Sequence, residues 1–97
     1  MTDTAAPSVR DNRDEHAYEM AAGAEKAVAA YELGEGTITF THTYVPPEAE
    51  GQGVGAALVR FALDDARARG LRVIPRCSFV RSWIRRHPEY HALVGPA

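Results

Sequence analysis

A single cysteine, Cys77, stands in 97 residues, so no internal disulfide can form. Disulfide-poor chains suit a reducing compartment. There is no excess of positive charge: eleven Lys and Arg against thirteen Asp and Glu give a formal net charge of −2. A protein that neutralises nucleic-acid phosphates needs the opposite balance, so the expectation is no nucleic-acid partner. No apolar run reaches the roughly 18 residues that a membrane span requires, so no membrane partner is expected. The first residues, "MTDTAAPSVRDNRDE", lack the apolar segment of a secretory signal. Together these absences predict a cytoplasmic protein.

What is present is an ordinary globular balance, 45% hydrophobic and 25% charged. The length suits one small domain with a modest core. Residues 1–7 are small and polar and read as a disordered tail, leaving one domain over 8–97. Ser8–Asn12 reads as a short strand and "NRDE" as a turn. "HAYEMAA" and "EKAVAAYEL" read as two strands split by Gly23. Their alanines admit a helical alternative, but Gly23, Gly34 and Gly36 favour hairpins.

"TITFTHTYV", Thr37–Val45, is the clearest strand, rich in β-branched and aromatic residues. Strict alternation puts Ile38, Phe40, His42 and Tyr44 on one face. Thr37, Thr39, Thr41, Thr43 and Val45 fall on the other. Pro46 and Pro47 end it. A helix follows from about Val54 to Arg69, with Val54, Ala57, Leu58, Phe61, Ala62 and Asp65 on its inner face. Asp65 can pair with Arg69 one turn on, and Gly70 is the stop. "LRVIPRCSFV" reads as the next strand, with Leu71, Val73, Cys77 and Phe79 on one face. "RSWIRR" reads as a short helix ending before Pro88, and "EYHALV" as one more helical turn. Antiparallel strands followed by strand, glycine loop, helix and parallel strand make an α/β (α+β) fold on a mixed sheet.

Between strand and helix lies "VPPEAEGQGVG", with glycines at 51, 53 and 55. Glycine lets backbone N–H groups turn toward one point. The helix that opens there contributes unpaired N–H groups and the positive end of its dipole. That combination suits a phosphate or pyrophosphate. No Lys-Ser or Lys-Thr pair follows the last glycine, and the spacing G-x-G-x-G is not the dinucleotide fingerprint. A tight turn with no ligand is the plainer alternative.

The loop resembles the acetyl-coenzyme A loop of the GNAT superfamily of N-acetyltransferases. There a strand ending in Val-x-Pro leads to Arg/Gln-x-x-Gly-x-Gly/Ala at a helix start. Val45, Pro47, Gly53 and Gly55 occupy the matching positions; Glu50 stands where the family carries Arg or Gln. "THTYV", "PRCSFV" and "RRHPEY" extend the similarity to the small, single-domain YjdJ-like branch. The resemblance implies a GNAT-like fold and acetyl transfer from acetyl-coenzyme A to an amine acceptor, with no metal. By it, Thr43 and Val45 offer backbone groups to the pantetheine arm. Gly51, Gln52, Gly53, Val54, Gly55 and Ala56 surround the pyrophosphate. The family usually has extra helices around the acceptor site, which this chain lacks, so an open acceptor groove is expected.

Three side chains, His42, Cys77 and Tyr90, are candidates for the chemistry. His42 is either a core histidine or the base that removes a proton from the ammonium, because only a neutral amine attacks. Cys77 is either a small buried hydrophobe or a nucleophile that carries the acetyl group, with His42 as its base across the sheet. Tyr90 is either, by the resemblance, the acid that protonates the leaving thiolate or an anchor packed with Trp83 and Leu93, the plainer reading, and His87 reads as structural. Arg81, Arg85 and Arg86 read as a solvated face, with contact to the coenzyme's 3′-phosphate as the alternative. A coenzyme-binding module without catalysis and a plain interaction domain are the competing functions.

Overall fold

The computed structural model describes residues 9–94. The expected tail over 1–7 and the first residue of the strand expected at 8 lie outside them. Among the described residues five strands form one sheet in the order β1 (Arg10–Asn12), β2 (Ala17–Ala22), β3 (Glu25–Gly34), β4 (Thr37–Tyr44) and β5 (Arg72–Pro75). The first four pair antiparallel, and β5 runs parallel to β4. Helix α1 (Val54–Ala68) links β4 to β5, α2 (Ser78–Arg85) follows β5, and a single turn α3 (His91–Val94) is the last element among the described residues. This is the mixed α/β sheet that the residue pattern predicts.

Both longer helices share one face of the sheet. Ala29 and Phe40 of the sheet meet Val59, Ala62 and Leu63 of α1 and Val80 of α2. Every one of these belongs to the buried core. Burying such side chains contributes about 1.5–3 kcal/mol for each large one.

The inner face of α1 differs from the expected one. Leu58, Val59, Ala62, Leu63 and Ala66 are buried, while Phe61 is 41% exposed. Packing decides this: the helix must fill the angle between sheet and α2, which rotates Phe61 to the flank. There its ring stands edge-on to Tyr18, with centroids 6.0 Å apart.

A chain of buried and half-buried polar groups ties the far end of α1 to the first three strands. Tyr18 Oη donates to Asp65 Oδ2 at 2.6 Å, and Tyr31 Oη donates to Asp11 Oδ1 at 2.6 Å. The Arg69 guanidinium donates to both carboxylates, at 3.2 and 3.3 Å. The Asp65–Arg69 pair expected along the helix is therefore half of a larger network. Burial first, and then the hydrogen bond to Asp11, pushes the Tyr31 phenol up to about 12. The same two kinds of cause, with Asp65 as partner, raise Tyr18 further.

Strand β5 is shorter than the pattern suggests. It ends at Pro75, and the chain turns so that Cys77 becomes the N-cap of α2. Proline cannot continue the ladder as a donor. The last link to β4 is a bond from Cys77 N to Phe40 O at 2.9 Å. The last three residues of the segment read as strand, Ser78–Val80, are helix.

Candidate active site

Strand β4 contains a bulge that reverses its alternation. Tyr31 pairs with Phe40, but the next residue of β3, Ala30, pairs with His42. Thr41 is therefore the extra residue, and every side chain beyond it swaps faces. Thr43, opposite Ala29, now points toward the helices, whereas His42 and Tyr44 point to the other face. His42 does not share a face with the buried Ile38 and Phe40, contrary to strict alternation; it is exposed.

The pairing of β4 with β5 stops at Phe40 and Pro75. Beyond it, the β5 side of β4 is a free strand edge. A cavity of about 600 Å³ opens there, lined by Thr43, Tyr44, Val45 and Glu50, by Gly51 and Gly53–Ala56, and by Phe79 of α2. Strand end, glycine loop and helix start thus wall one space.

The loop conformation explains two of the three glycines. Gly51 and Gly53 have φ of +82° and +79°, the left-handed region that favours glycine. Gly53 is the N-cap of α1 and supplies no side chain to satisfy the helix start. The first intrahelical bond runs from Ala57 N to Gly53 O at 3.0 Å. The N–H groups of Val54, Gly55 and Ala56 precede it, without partners in the helix. They carry the positive end of the dipole toward the cavity. Gln52 does not join them: its N–H bonds Ala49 O, and its side-chain amide donates to Glu48 O at 3.2 Å.

The mouth of the cavity is acidic. Tyr44 Oη donates to Glu25 Oε1 at 3.0 Å, and this bond is the largest cause that raises the phenol's pKa. A little burial adds to it, followed by the charges of Glu25, Glu48 and Glu50. Glu50, the departure from the expected Arg or Gln, lines the cavity itself.

Cys77 is 7% exposed, with its Sγ 3.3 Å from Thr43 Oγ1 behind the cavity wall. The bulge puts His42 on the opposite face, so the structure does not bring histidine and thiol together as base and nucleophile. Tyr90 is an anchor: its hydroxyl donates to Asp64 Oδ1 at 2.8 Å, and its ring lies against Trp83. His87 stacks on Trp83 at 3.7 Å and bonds the Trp83 carbonyl through Nδ1. The Arg81 guanidinium donates to the carbonyls of Pro75 and Arg76. Phe79 is the lining residue that the sequence reading placed on a strand and gave no role; nothing local marks it, because its place follows from where α2 begins.

Residues 17–93 match a protein family described as GCN5-related N-acetyl-transferase. No curated protein was found to match the chain.

Proposed function

The chain belongs to the GCN5-related N-acetyltransferase family, and on that premise we propose that it transfers an acetyl group from acetyl-coenzyme A to a primary amine. One observation carries the reading: unpaired N–H groups at the start of α1 and the free edge of β4 line the same cavity. Diphosphate suits the first and an extended amide-bearing arm suits the second. Gly51, Gly53, Val54, Gly55 and Ala56 hold the diphosphate, and Thr43 and Val45 offer backbone groups to the arm. Bound acetyl-coenzyme A supplies an activated acyl carbon.

His42 acts as the base. It takes one proton of the incoming ammonium; the nitrogen lone pair forms the new N–C bond, the thioester C–S bond breaks, and the second proton lost from nitrogen passes to the departing thiolate. His42 and Cys77 face opposite ways, which speaks against a relay in which His42 is the base of Cys77. One contact favours the relay as a second reading: Thr43 Oγ1 lies against the Cys77 thiol at the N-cap of α2.

Calorimetric titration with acetyl-coenzyme A tests the reading first, with one-to-one saturation expected. His42→Ala should then keep that affinity and lose about 10²–10⁴-fold in kcat. No binding at millimolar ligand would remove the enzyme and the coenzyme-binding module alike, and leave an interaction domain. Binding with full activity in His42→Ala would remove the histidine base.

A further inference from the structure

Basic side chains divide into two groups along the chain. Arg10, Arg13, Lys26, Arg67 and Arg69 each stand within 4.0 Å of a carboxylate. Arg60 lies over the rings of Trp83 and Tyr90. The remaining arginines, Arg72, Arg76, Arg81, Arg85 and Arg86, pair with no carboxylate among the described residues. All of them are exposed, and residues 71–94 hold a single acid, Glu89. The backbone of Glu89 is tied to the α1 side, where its carbonyl accepts from Arg67 Nη2 at 2.8 Å. Positive charge without a counter-charge is thus concentrated on one segment of a chain whose net charge is −2.

Two of these arginines meet at a groove of about 360 Å³ between the end of β5, α2 and α3. Pro75, the buried Ile84 and the half-buried Val94 form its apolar floor. Arg81, Arg85 and His91 form its polar side, and no carboxylate lines it. Arg81 Nη1 donates to the carbonyls of Pro75 and Arg76 at 3.1 and 3.2 Å; its other N–H groups and all those of Arg85 have no partner among the described residues. His91 Nε2 is held on the Ile84 carbonyl at 3.0 Å. Like charges one helical turn apart repel, and an anion between Arg81 and Arg85 turns that repulsion into attraction. The groove is separate from the coenzyme cavity: the two linings share no residue. Arg81 and Arg85 follow Phe79 by about 200° and 240° around α2.

We propose that this groove binds a small organic carboxylate, with its oxygens on the Arg81 and Arg85 guanidiniums and its hydrocarbon body over Pro75, Ile84 and Val94. Guanidinium N–H groups match carboxylate oxygens and form charge-assisted hydrogen bonds with them. Phosphate matches the arginines too, but the floor decides against it, because only an apolar body gains from covering apolar surface. The volume lies near the lower end of small-molecule sites. A docked polypeptide covers about 800 Å² of its partner, so the occupant assigned here is a free acid.

Hexanoate, titrated into isotopically labelled protein and followed by NMR without coenzyme, tests the site. Saturable shifts at Ile84, His91 and Val94 are expected, with a Kd on the order of 1 mM. Hexylammonium, the same body with the opposite charge, should leave those signals in place. Inorganic phosphate should bind at least fivefold more weakly than hexanoate. Arg85→Gln, an exposed change at the end of α2, should weaken hexanoate at least fivefold with an unchanged Tm. Arg81→Gln should weaken it as well. Shifts confined to another surface, equal response to hexylammonium, or native hexanoate affinity in Arg85→Gln would overturn the site. Phosphate binding as tightly as hexanoate would overturn the carboxylate, and tighter binding by a peptide through its C-terminal carboxylate would overturn the free acid. The NMR titration reads the groove by itself, so its outcome is distinct from that of the acetyl-coenzyme A titration.

Discussion

The ring of Phe79 lies so close over Gly55 that a Cβ on Gly55 would stand 2.7 Å from its Cζ. Gly55 does not have a positive φ, unlike Gly51 and Gly53. The third glycine of the loop therefore serves the contact between α1 and α2. Gly55→Ala should shift Tm little, since better helix propensity offsets displacement of a ring that is 39% exposed. The moved ring should lower acetyl-coenzyme A affinity about tenfold, roughly 1.4 kcal/mol. Gly55→Ala combined with Phe79→Leu should recover most of it, as calorimetry can read.

A cleaner probe of the anion site is Ala56, which lines the cavity and is exposed near the start of α1. A carboxylate there is favourable to the helix by about 0.3–1 kcal/mol. Ala56→Glu should raise Tm slightly and still reduce acetyl-coenzyme A binding at least tenfold. A turn without a ligand would give the first effect alone.

Glu50 puts a negative side chain where a diphosphate is expected. Exposed charges interact by about 0–1 kcal/mol. Glu50→Gln should therefore tighten acetyl-coenzyme A binding two- to fivefold at low salt, and the gain should shrink as added salt screens it.

Cys77→Ala separates the two chemical routes. Under direct attack kcat stays within twofold of native, and stability falls by about 1 kcal/mol through the lost thiol contact. A loss of more than a hundredfold in kcat, measured with saturating amine, would move the acetyl group onto sulfur.

The tyrosine network predicts a weakness to alkali. The folded-state pKa of Tyr31 is raised from 10.0 to about 12, and Tyr18 is raised as well. A phenol whose folded pKa lies above its unfolded one stabilises fully below pH 10, and that contribution is lost as pH rises through the folded value. Tyr31 alone accounts for a loss on the order of 2–3 kcal/mol between pH 10 and 12. Urea denaturation at pH 8, 10 and 11 should show the decline, and Tyr18→Phe/Tyr31→Phe should flatten it while costing about 2 kcal/mol at pH 8.

The local pattern was enough for the first four strands, the glycine turn and α1, because period, proline and glycine act within a few residues. Ala17–Ala22, Glu25–Gly34 and Thr37–Tyr44 fall where alternation and turn residues place them. The parallel β4–β5 pair follows from the helix between them. The motif around Gly51–Gly55 carried the family, and the family match agrees.

Three features of the candidate site were decided only by packing. The bulge at Thr41 sends His42 out and Thr43 in, and it depends on hydrogen bonds between two strands, which leave no trace in the period of one. The turn of the chain at Pro75 makes Cys77 a helix cap, because its N–H completes the ladder at Phe40 before the helix begins. The place of Gly55 under Phe79 exists only once α1 and α2 share one face of the sheet. Sequence alone determined which elements form and which loop opens the helix, since those are choices among nearby residues. Which way each reactive side chain faces belongs to the tertiary structure, because one extra residue in one strand reverses it.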